Sequence, residues 1–405
     1  MVTGLGIIAP VGQNAASFFD NLVAARSGVR RLPADAFPEG QALVAGQVDF
    51  DSTKYWPDHR SVQLDRAVQF ALVAAAQALD DASPELADSE LPRAGVYWGT
   101  GLGGAISIEE SYRNYFAGNG RVRPTAVVMG MSNAAAGQIS IANRFGGPVL
   151  NISTACSSSA SAIGEAYRAI QAGHADLIVA GGSEALVTPG NLKAWDAMRT
   201  LAQVDPADPS RSCKPFSANR TGLVLGEGAA ALVLESADRA IRRGAHIHAE
   251  IVGYGNAADA FNMSKPEPGG QVRAIRLAIA DARLDRAAVG YVNAHGTATQ
   301  VGDIVETTAL KEVFAGLEKP PLISSTKALH GHLMGATGAV EMLASIMALE
   351  QGIVPPTAHL DKPDPACDLD YVPNEARRVN LETVMSNSFG FGGMNAVLIA
   401  RRYQG

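Results

Sequence analysis

The chain has 405 residues, of which 47% are hydrophobic, enough for two packed units or one large layered domain. Its net charge is −7 and it has no basic block that could follow a phosphate backbone, which argues against nucleic acid as a partner. It has no basic leader and no run of roughly 20 apolar residues, so we expect no membrane span. Cys156, Cys213 and Cys367 show neither zinc nor disulfide spacing, which favours a reducing cytoplasm.

The first half of the chain alternates short β-branched runs with longer stretches of apolar residues at helical spacing. This pattern predicts a helix over residues 62–79 and strands over residues 95–98 and 149–153. After Cys156, apolar residues continue at spacings of three and four as far as Gly173, which predicts a helix that ends at this glycine. Cys156 is therefore expected where a strand turns into a helix, in an α/β architecture.

Further strands are predicted over residues 175–180 and 229–234. The charged segment 235–246 is interpreted as a solvated helix that separates two halves of the chain. The second half repeats the style of the first and runs without a linker or low-complexity segment, so we expect the halves to share one core. Its predicted strands, each leading into a glycine-rich turn, are residues 291–294, 322–325 and 384–388.

Cys156 is the first candidate for chemistry. A thiol with its reference pKa of about 8.5 is only a few per cent thiolate at neutral pH, so a nucleophilic cysteine needs local positive potential. The start of a helix can supply that potential, and its free N–H groups can also hold a developing oxyanion. Taken alone, the same position also suits an inert buried cysteine.

Two histidines are the next candidates: His295 in the run from Asn293 to Thr299, and His332 in the run from Ser324. Each follows a predicted strand and adjoins glycine. Neutral histidines can donate hydrogen bonds to an oxygen that becomes negative, although each could also be structural. The His330-Gly-His332 run together with His295 could instead ligate a metal. A zinc ion beside the thiol would simply bind it, so we predict no metal.

Lys327 lies close before His332, and Glu341 follows on an apolar stretch that predicts a helix over residues 340–349. A buried lysine requires a carboxylate partner, for which Glu341 is the nearest candidate, whereas two surface charges are the alternative. The later run from Ser386 to Gly393 has glycines that permit close backbone approach, between Phe389 and Phe391, whose rings could close a pocket.

The run Gly99-Thr-Gly101-Leu-Gly-Gly104 has the spacing of a dinucleotide-binding loop and follows a predicted strand. The acidic residue expected about 20 residues further on is missing, because Arg121 and Arg123 stand there. We therefore predict a structural turn rather than a Rossmann dehydrogenase site.

Five motifs, in this order, resemble those of the 3-oxoacyl-[acyl-carrier-protein] synthases, and the synthase II branch in particular. The resemblance covers nearly the whole chain and includes the early run from Val2 to Pro10. The motifs are Thr154-Ala-Cys156, Asn293-Ala-His295-Gly-Thr297, Ser325-Thr-Lys327, Gly331-His332-Leu333 and Asn387-Ser-Phe389-Gly-Phe391-Gly-Gly393.

The resemblance implies a thiolase-like fold of two α/β halves related by a pseudo-twofold axis and stacked in five α-β-α-β-α layers. We expect the cysteine half to span residues 1–240 and the histidine half residues 241–405. The resemblance also implies a homodimer, with a heterodimer containing a chain-length-factor-like subunit as the alternative.

The resemblance further implies a decarboxylative condensation. Cys156 would accept an acyl chain from acyl carrier protein, with an oxyanion hole formed by its own amide and that of Phe391. His295 and His332 would stabilise the enolate formed from malonyl carrier protein. Lys327, held by Glu341, would set the environment of His332.

By family position, Thr297 and Thr299 would contact the phosphopantetheine arm of the carrier, which acts as substrate rather than as a resident cofactor. Phe391 would gate malonyl entry, and Ile108 would border the acyl pocket. Because the chain is itself acidic, docking of an acidic carrier requires a local basic patch. The candidates for this patch are Arg60, Arg66 and Arg211.

Three departures from the family pattern leave the substrate open: Ala328-Leu-His330 before the second histidine motif, the serine triplet after Cys156, and Met394. Similar variation occurs in synthases of polyketides and polyenes. Two other functions stay in view. One is a chain-length or scaffold subunit, which typically lacks the cysteine, and the other is a coenzyme A-dependent biosynthetic thiolase, which uses a second cysteine as base.

Overall fold

The computed structural model describes residues 1–33, 43–56 and 60–405. The strands are β1 (Val2–Ile8), β2 (Val29–Arg31), β3 (Val44–Gly46), β4 (Ala94–Gly99), β5 (Val149–Ile152), β6 (Leu177–Glu184), β7 (Leu225–Gly226), β8 (Gly228–Glu235), β9 (Glu250–Ala258), β10 (Tyr291–Asn293), β11 (Leu322–Ser324), β12 (Ile353–Val354), β13 (Arg377–Arg378), β14 (Thr383–Gly390) and β15 (Met394–Arg401). The helices are α1 (Ala15–Val23), α2 (Arg66–Ala82), α3 (Ala105–Asn114), α4 (Ala126–Gly130), α5 (Ala134–Asn143), α6 (Ser158–Gln171), α7 (Pro189–Ala197), α8 (Ala237–Arg242), α9 (Pro268–Asp281), α10 (Gly302–Val313), α11 (Lys327–His330) and α12 (Thr337–Gln351).

Two five-stranded sheets form the frame and share one pairing pattern. The first has the order β5-β4-β6-β8-β1 and the second the order β11-β10-β14-β15-β9. In each order the first two pairings are parallel and the last two are antiparallel. Each half of the chain therefore forms one sheet, and the two sheets have the same order of parallel and antiparallel pairings.

The helices lie in three layers around these sheets. Helix α6 packs on β4 and β6 and also reaches β9 and β15, while α12 packs between β8 and β14. Helices α2 and α5 cover the outer face of the first sheet, and α9 and α10 cover that of the second. The order is helix, sheet, helix, sheet, helix.

The central layer is tightly packed because its two helices meet at small residues. A Cβ added to Gly338 of α12 would lie only 2.7 Å from Ala160 of α6. The largest apolar cluster draws on both halves, from Val2 to Ala400, so the halves share this central core, while smaller clusters lie on the outer faces of the sheets. Among the helices of the described ranges, none is both long and apolar enough to cross a membrane.

Most predicted elements are present, with shifted ends. The helix predicted from residue 62 begins at Arg66, because Asp65 accepts a hydrogen bond from the amide of Ala67 as its N-cap. The preceding residues, Arg60–Gln63, form a separate 3-10 turn.

The interpretation of residues 235–246 as a solvated helix is confirmed only for the short helix α8, in which residues 237, 238, 241 and 242 are exposed. Glu235 ends β8 and is fully buried, and α8 spans only Ala237–Arg242. The Glu235 carboxylate accepts hydrogen bonds from Thr3, Arg239 and Arg243. Two of the arginines that suggested solvent exposure thus bind one buried carboxylate.

Candidate active site

Cys156 lies on the 3-10 turn Ala155–Ser157, between strand β5 and helix α6. The preceding residue, Ala155, has a φ of +53°, a left-handed conformation that bends the chain sharply. This turn presents the thiol at the start of the α6 segment, where the sequence predicted it.

The serine triplet holds this turn in place. Ser157 Oγ donates to the carbonyl of Thr154 at 2.8 Å, and Ser158 Oγ donates to the carbonyl of Ala155 at 2.6 Å. Ser159 Oγ accepts from the amide of Ala339 at 2.9 Å, which ties α6 to α12. Hydrogen bonds within the turn and one hydrogen bond to α12 therefore fix the position of Cys156.

A cavity of about 330 Å³ brings the sequence candidates together. Cys156 lines it and is itself only 7% exposed. Its other lining residues include His295, His332, Thr297, Thr299, Phe389, Phe391, Trp195, Met334, Arg199 and Lys265. The pocket thus connects the predicted site residues with one buried thiol.

The two imidazoles lie next to this thiol. The rings of His295 and His332 are 5.3 Å apart between centroids and nearly perpendicular, at 85°. One ring nitrogen from each lies within 4.8 Å of the other and of Cys156 Sγ. Nδ1 of His295 and Nε2 of His332 are buried and have no hydrogen-bond partner among the described residues.

His330 takes no part in this group, although the sequence allowed it as a metal ligand. Its Nε2 lies 3.0 Å from Thr326 Oγ1 and its Nδ1 lies 2.7 Å from the carbonyl of Gly331. Both ring nitrogens are therefore occupied within the chain, away from His295 and His332.

The expectation that the helix start lowers the pKa of Cys156 needs correction. Burial raises this pKa to about 11, although Lys327 and the backbone N–H groups of Phe391 and Cys156 act in the opposite direction. The loss of hydration outweighs the local positive potential. The free thiol is therefore protonated at neutral pH.

Both active-site histidines are neutral at the same pH. Burial is the main cause, and the positive charge of Lys327 adds to it, so the pKa of His295 and that of His332 fall well below their usual value. His332 Nδ1 lies 2.9 Å from Thr337 Oγ1, which orients its ring. Neutral imidazoles can donate a hydrogen bond to an oxyanion without carrying a charge of their own.

The predicted pair of Lys327 and Glu341 is present and fully buried. Lys327 Nζ lies 2.5 Å from Glu341 Oε1, and neither side chain has measurable exposure. Burial raises the pKa of Glu341, and the adjacent Lys327 ammonium acts in the opposite direction. The ammonium group of Lys327 acts electrostatically on both histidines and on the thiol.

Sequence reasoning missed Glu306, which holds the His295 loop. Its carboxylate accepts from the amides of His295 and Gly296 at 2.8 and 2.7 Å, and from Asn387 at 3.1 Å. The available signal was an acid at a core-facing position of a helix, since Asp303 and Glu306 lie on the buried face of α10 with Leu310.

Glu184 explains the glycine run that resembles a dinucleotide loop. Its carboxylate accepts from the amides of Gly101, Leu102 and Gly335, at 2.6, 3.2 and 3.0 Å. A Cβ on Gly101 would lie only 2.7 Å from this carboxylate. The loop amides bind a protein carboxylate, so the prediction of a structural turn is confirmed.

Trp195 is a second residue that sequence reasoning missed. Its indole stacks on the Phe391 ring, with centroids 5.8 Å apart and planes 19° apart. Phe391 follows Gly390, where a Cβ would lie 2.8 Å from the Thr154 carbonyl and 3.3 Å from the Cys156 amide. The absence of this Cβ lets the Phe391 turn approach the nucleophile turn.

The residues predicted to bind the carrier arm, the acyl chain and the carrier protein do not all lie at the cavity. Thr297 and Thr299 line the cavity, with hydroxyls 3.0 Å apart. Ile108 lies on α3, is 37% exposed and does not line this cavity. The side chain of Arg60 lies outside the described residues. Both other arginines form ion pairs: Arg66 with Glu227 at 2.7 Å, and Arg211 with Asp361.

Two sheets with one pairing pattern, a central helix layer, and a cysteine facing two histidines define a thiolase-like condensing enzyme. Family models agree: "Beta-ketoacyl synthase, N-terminal domain" matches residues 1–240 and "Beta-ketoacyl synthase, C-terminal domain" matches residues 248–361. The chain belongs to the beta-ketoacyl synthase family.

Individual proteins match over the full length. The 3-oxoacyl-[acyl-carrier-protein] synthase 2 of Staphylococcus aureus (strain N315) is 38% identical, covering 100% of this chain and 98% of the relative. A ketosynthase bound to a hexaketide, solved in complex with its type II PKS acyl-carrier protein, has a TM-score of 0.90 at 31% identity. The ishigamide ketosynthase/chain length factor has a TM-score of 0.92 at 32% identity. Each structural match covers 100% of this chain and 98% of the other, so the predicted family and fold class are confirmed.

Proposed function

We propose that this chain condenses an acyl thioester, carried on Cys156, with a malonyl unit on acyl carrier protein, and that it releases a 3-oxoacyl carrier protein. The observation that carries the proposal is the convergence of one buried thiol and two neutral imidazoles in a single cavity. A fatty-acid pathway and a related polyketide or polyene pathway both fit this reaction.

In the first step, the thiol of Cys156 attacks the carbonyl of an acyl thioester on the carrier. The Cys156 proton leaves, the carbonyl oxygen becomes an oxyanion, and the backbone N–H groups of Cys156 and Phe391 stabilise it. Collapse expels the carrier thiolate, which takes up the proton. Because the pKa of Cys156 is raised to about 11, we expect its proton to leave only as the substrate carbonyl enters the site.

In the second step, a malonyl thioester takes the place of the first carrier. Its carbonyl oxygen accepts hydrogen bonds from His295 and His332 while its carboxylate leaves as carbon dioxide. The electron pair of the broken bond forms an enolate, whose carbon attacks the acyl group on Cys156. The Cys156 thiolate leaves and takes up one proton from solvent.

The buried pair supports this chemistry through its charge. Burial keeps both histidines neutral, so that they can act as donors, and the positive charge of Lys327 adds to this effect. Glu341 balances the Lys327 ammonium within the dry core. A protonated histidine would bind the malonyl carboxylate instead of letting it leave. We therefore regard Lys327 and Glu341 as positioning residues.

The carrier is proposed to present its phosphopantetheine arm along Thr297 and Thr299, which line the cavity. The arm is a substrate, and no resident cofactor is part of this proposal. Arg199 and Lys265 are exposed and line the same cavity, which makes them better docking candidates than the ion-paired Arg66 and Arg211. Phe391, stacked on Trp195, is proposed to gate malonyl entry.

A dimer is proposed on the strength of β5, the edge strand of the first sheet. Its apolar residues Val149 and Leu150 are 38% and 47% exposed. A sheet edge with exposed apolar residues can pair with another chain, which would cover them. More exposed apolar side chains lie on the neighbouring α3 to α5 segment, including Tyr112, Phe116, Val127 and Ile141. A homodimer is preferred, and a chain-length-factor-like partner on the same edge is the alternative.

In such a dimer, Ile108 on α3 would border the acyl pocket, close to the partner chain. We further propose a division into halves 1–240 and 241–405, and a cytoplasmic location. The location rests on Cys156, Cys213 and Cys367, all of which are free and buried, as suits a reducing compartment.

Intact-mass measurement tests the proposal. Incubation with acyl carrier protein carrying an octanoyl group should add one octanoyl group to the wild-type chain and none to Cys156→Ala, and malonyl carrier protein should then remove it as a 3-oxoacyl product. Failure of Cys156 to become acylated, alone or with a candidate partner, would favour the scaffold subunit. Condensation of two acetyl coenzyme A molecules without carbon dioxide release would favour the thiolase.

A further inference from the structure

A second group of ligating side chains lies outside the active-site cavity, where three chain segments meet. His246 and His248 belong to the stretch between α8 and β9, Glu350 lies in the last turn of α12, and Asp81 lies in the last turn of α2. The backbone of this stretch is anchored, because the amide of His248 donates to the carbonyl of Val2.

The spacing of these atoms suits a metal ion. Nδ1 of His248 lies 2.9 Å and Nε2 of His246 lies 3.4 Å from the same oxygen, Oε1 of Glu350. All three ligand atoms lie within 4.8 Å of one another. Zinc bonds of about 2.0–2.1 Å place tetrahedral ligand atoms about 3.3 Å apart. We infer that His246, His248 and Glu350 bind a divalent transition-metal ion of the zinc type.

Asp81 completes the arrangement as an orienting residue. Its Oδ2 lies 2.8 Å from Nε2 of His248 and also accepts from the amide of Leu5 at 2.8 Å. A carboxylate on the far nitrogen of a ligating histidine fixes the tautomer and the ring direction. Here it would direct Nδ1 of His248 toward Glu350 and the metal.

Asp81 and Glu350 both lie at helix C-terminal ends, where the helix dipole disfavours negative charge. Arg243 and Arg402 already donate to backbone carbonyls at these two ends, so the geometry of the ligand atoms, and not an unbalanced local charge, supports the metal site. A doubly charged ion held there would connect α2, the stretch before β9 and α12. It would therefore link the two halves of the chain and stabilise them against unfolding.

The competing arrangement is a protonated His248 that bridges the two carboxylates without a metal. His246 distinguishes the two, because its side chain is 70% exposed and the proton bridge has no need of it. Its replacement is also the variant that threatens folding least.

The test uses tag-free Cys156→Ala protein, since Cys156, His295 and His332 could take up metal themselves. Equilibrium dialysis against Zn²⁺, followed by metal analysis, should give one Zn²⁺ per chain. Adding His246→Ala should abolish this Zn²⁺, whereas adding His174→Ala, at an exposed histidine after α6, should retain it. Adding Asp81→Asn should weaken Zn²⁺ binding about 10–100-fold.

Zn²⁺ should also raise the thermal midpoint of Cys156→Ala but not that of the His246→Ala double variant. Equal Zn²⁺ content with and without His246, or the absence of bound Zn²⁺ in both, would overturn the inference. Neither result bears on the condensation reaction, which is measured separately with the carrier proteins.

Discussion

Cys156 is a buried thiol in a place that sequence patterns associate with activation. The N–H groups around it and the charge of Lys327 favour the thiolate, yet burial prevails and holds the pKa near 11. The N–H groups therefore serve to stabilise the oxyanion that forms during the reaction, and not a thiolate in the resting enzyme. This property can be measured without any carrier protein.

We expect the alkylation rate of Cys156 by iodoacetamide to rise with pH throughout the range 7–10. Because the thiol loses its proton only near pH 11, each pH unit in this range increases the thiolate fraction about tenfold. Peptide mass analysis separates Cys156 from Cys213 and Cys367, and circular dichroism checks that the protein stays folded. A rate that levels off below pH 9 would contradict the raised pKa.

Lys327 has a structural and an electrostatic role that two variants separate. Lys327→Met leaves Glu341 buried without its partner, which should lower the free energy of unfolding by about 3–5 kcal/mol. Lys327→Met/Glu341→Gln should recover much of this loss, because neither position then carries a buried charge without its partner. Denaturant titration measures both effects.

The condensation rate should stay low in the double variant, because the positive charge of Lys327 that acts on Cys156, His295 and His332 is missing. Recovery of activity together with stability would show that the pair serves only to hold the fold.

At the scale of elements, the close approach of α6 and α12 sets the position of the nucleophile turn. Gly338→Ala would force a Cβ to within 2.7 Å of Ala160, and should destabilise the protein by about 1–3 kcal/mol. Gly137→Ala is the matched control, since this glycine is also helical and a Cβ there meets nothing within 4 Å. Thermal unfolding should show a loss for Gly338→Ala alone; equal effects would contradict close packing in the central layer.

Sequence patterns located most elements because apolar spacing follows burial. They misjudged the burial of Glu235 and Arg239 in the segment 235–246, since a pattern of charges does not reveal which of them bind one another. They also missed Glu184 and Trp195, whose partners lie far along the chain. Glu306 lies only 11 residues after His295, but nothing in the spacing shows that its carboxylate faces back to that loop. The nucleophile and the histidines were found because their motifs are local.

At the scale of the whole molecule, the first sheet ends in an apolar edge. Leu150→Asp would place a charge on this edge, so we expect the proposed dimer to dissociate into monomers with native secondary structure. Ile241→Asp is the control, because Ile241 is similarly exposed but lies on α8. Light scattering after gel filtration measures the mass; a Leu150→Asp chain that keeps the wild-type mass would exclude this edge as the interface.

The central claim is that one thiol and two neutral histidines carry out a decarboxylative condensation. Its most direct test follows carbon dioxide released from carboxyl-labelled malonyl carrier protein, together with the mass of the carrier-bound product, in the presence of acyl carrier protein. The wild-type chain should release one carbon dioxide for each 3-oxoacyl carrier protein formed, and Cys156→Ala should form no such product. A 3-oxoacyl product from Cys156→Ala, or one formed by wild type without carbon dioxide release, would contradict the account.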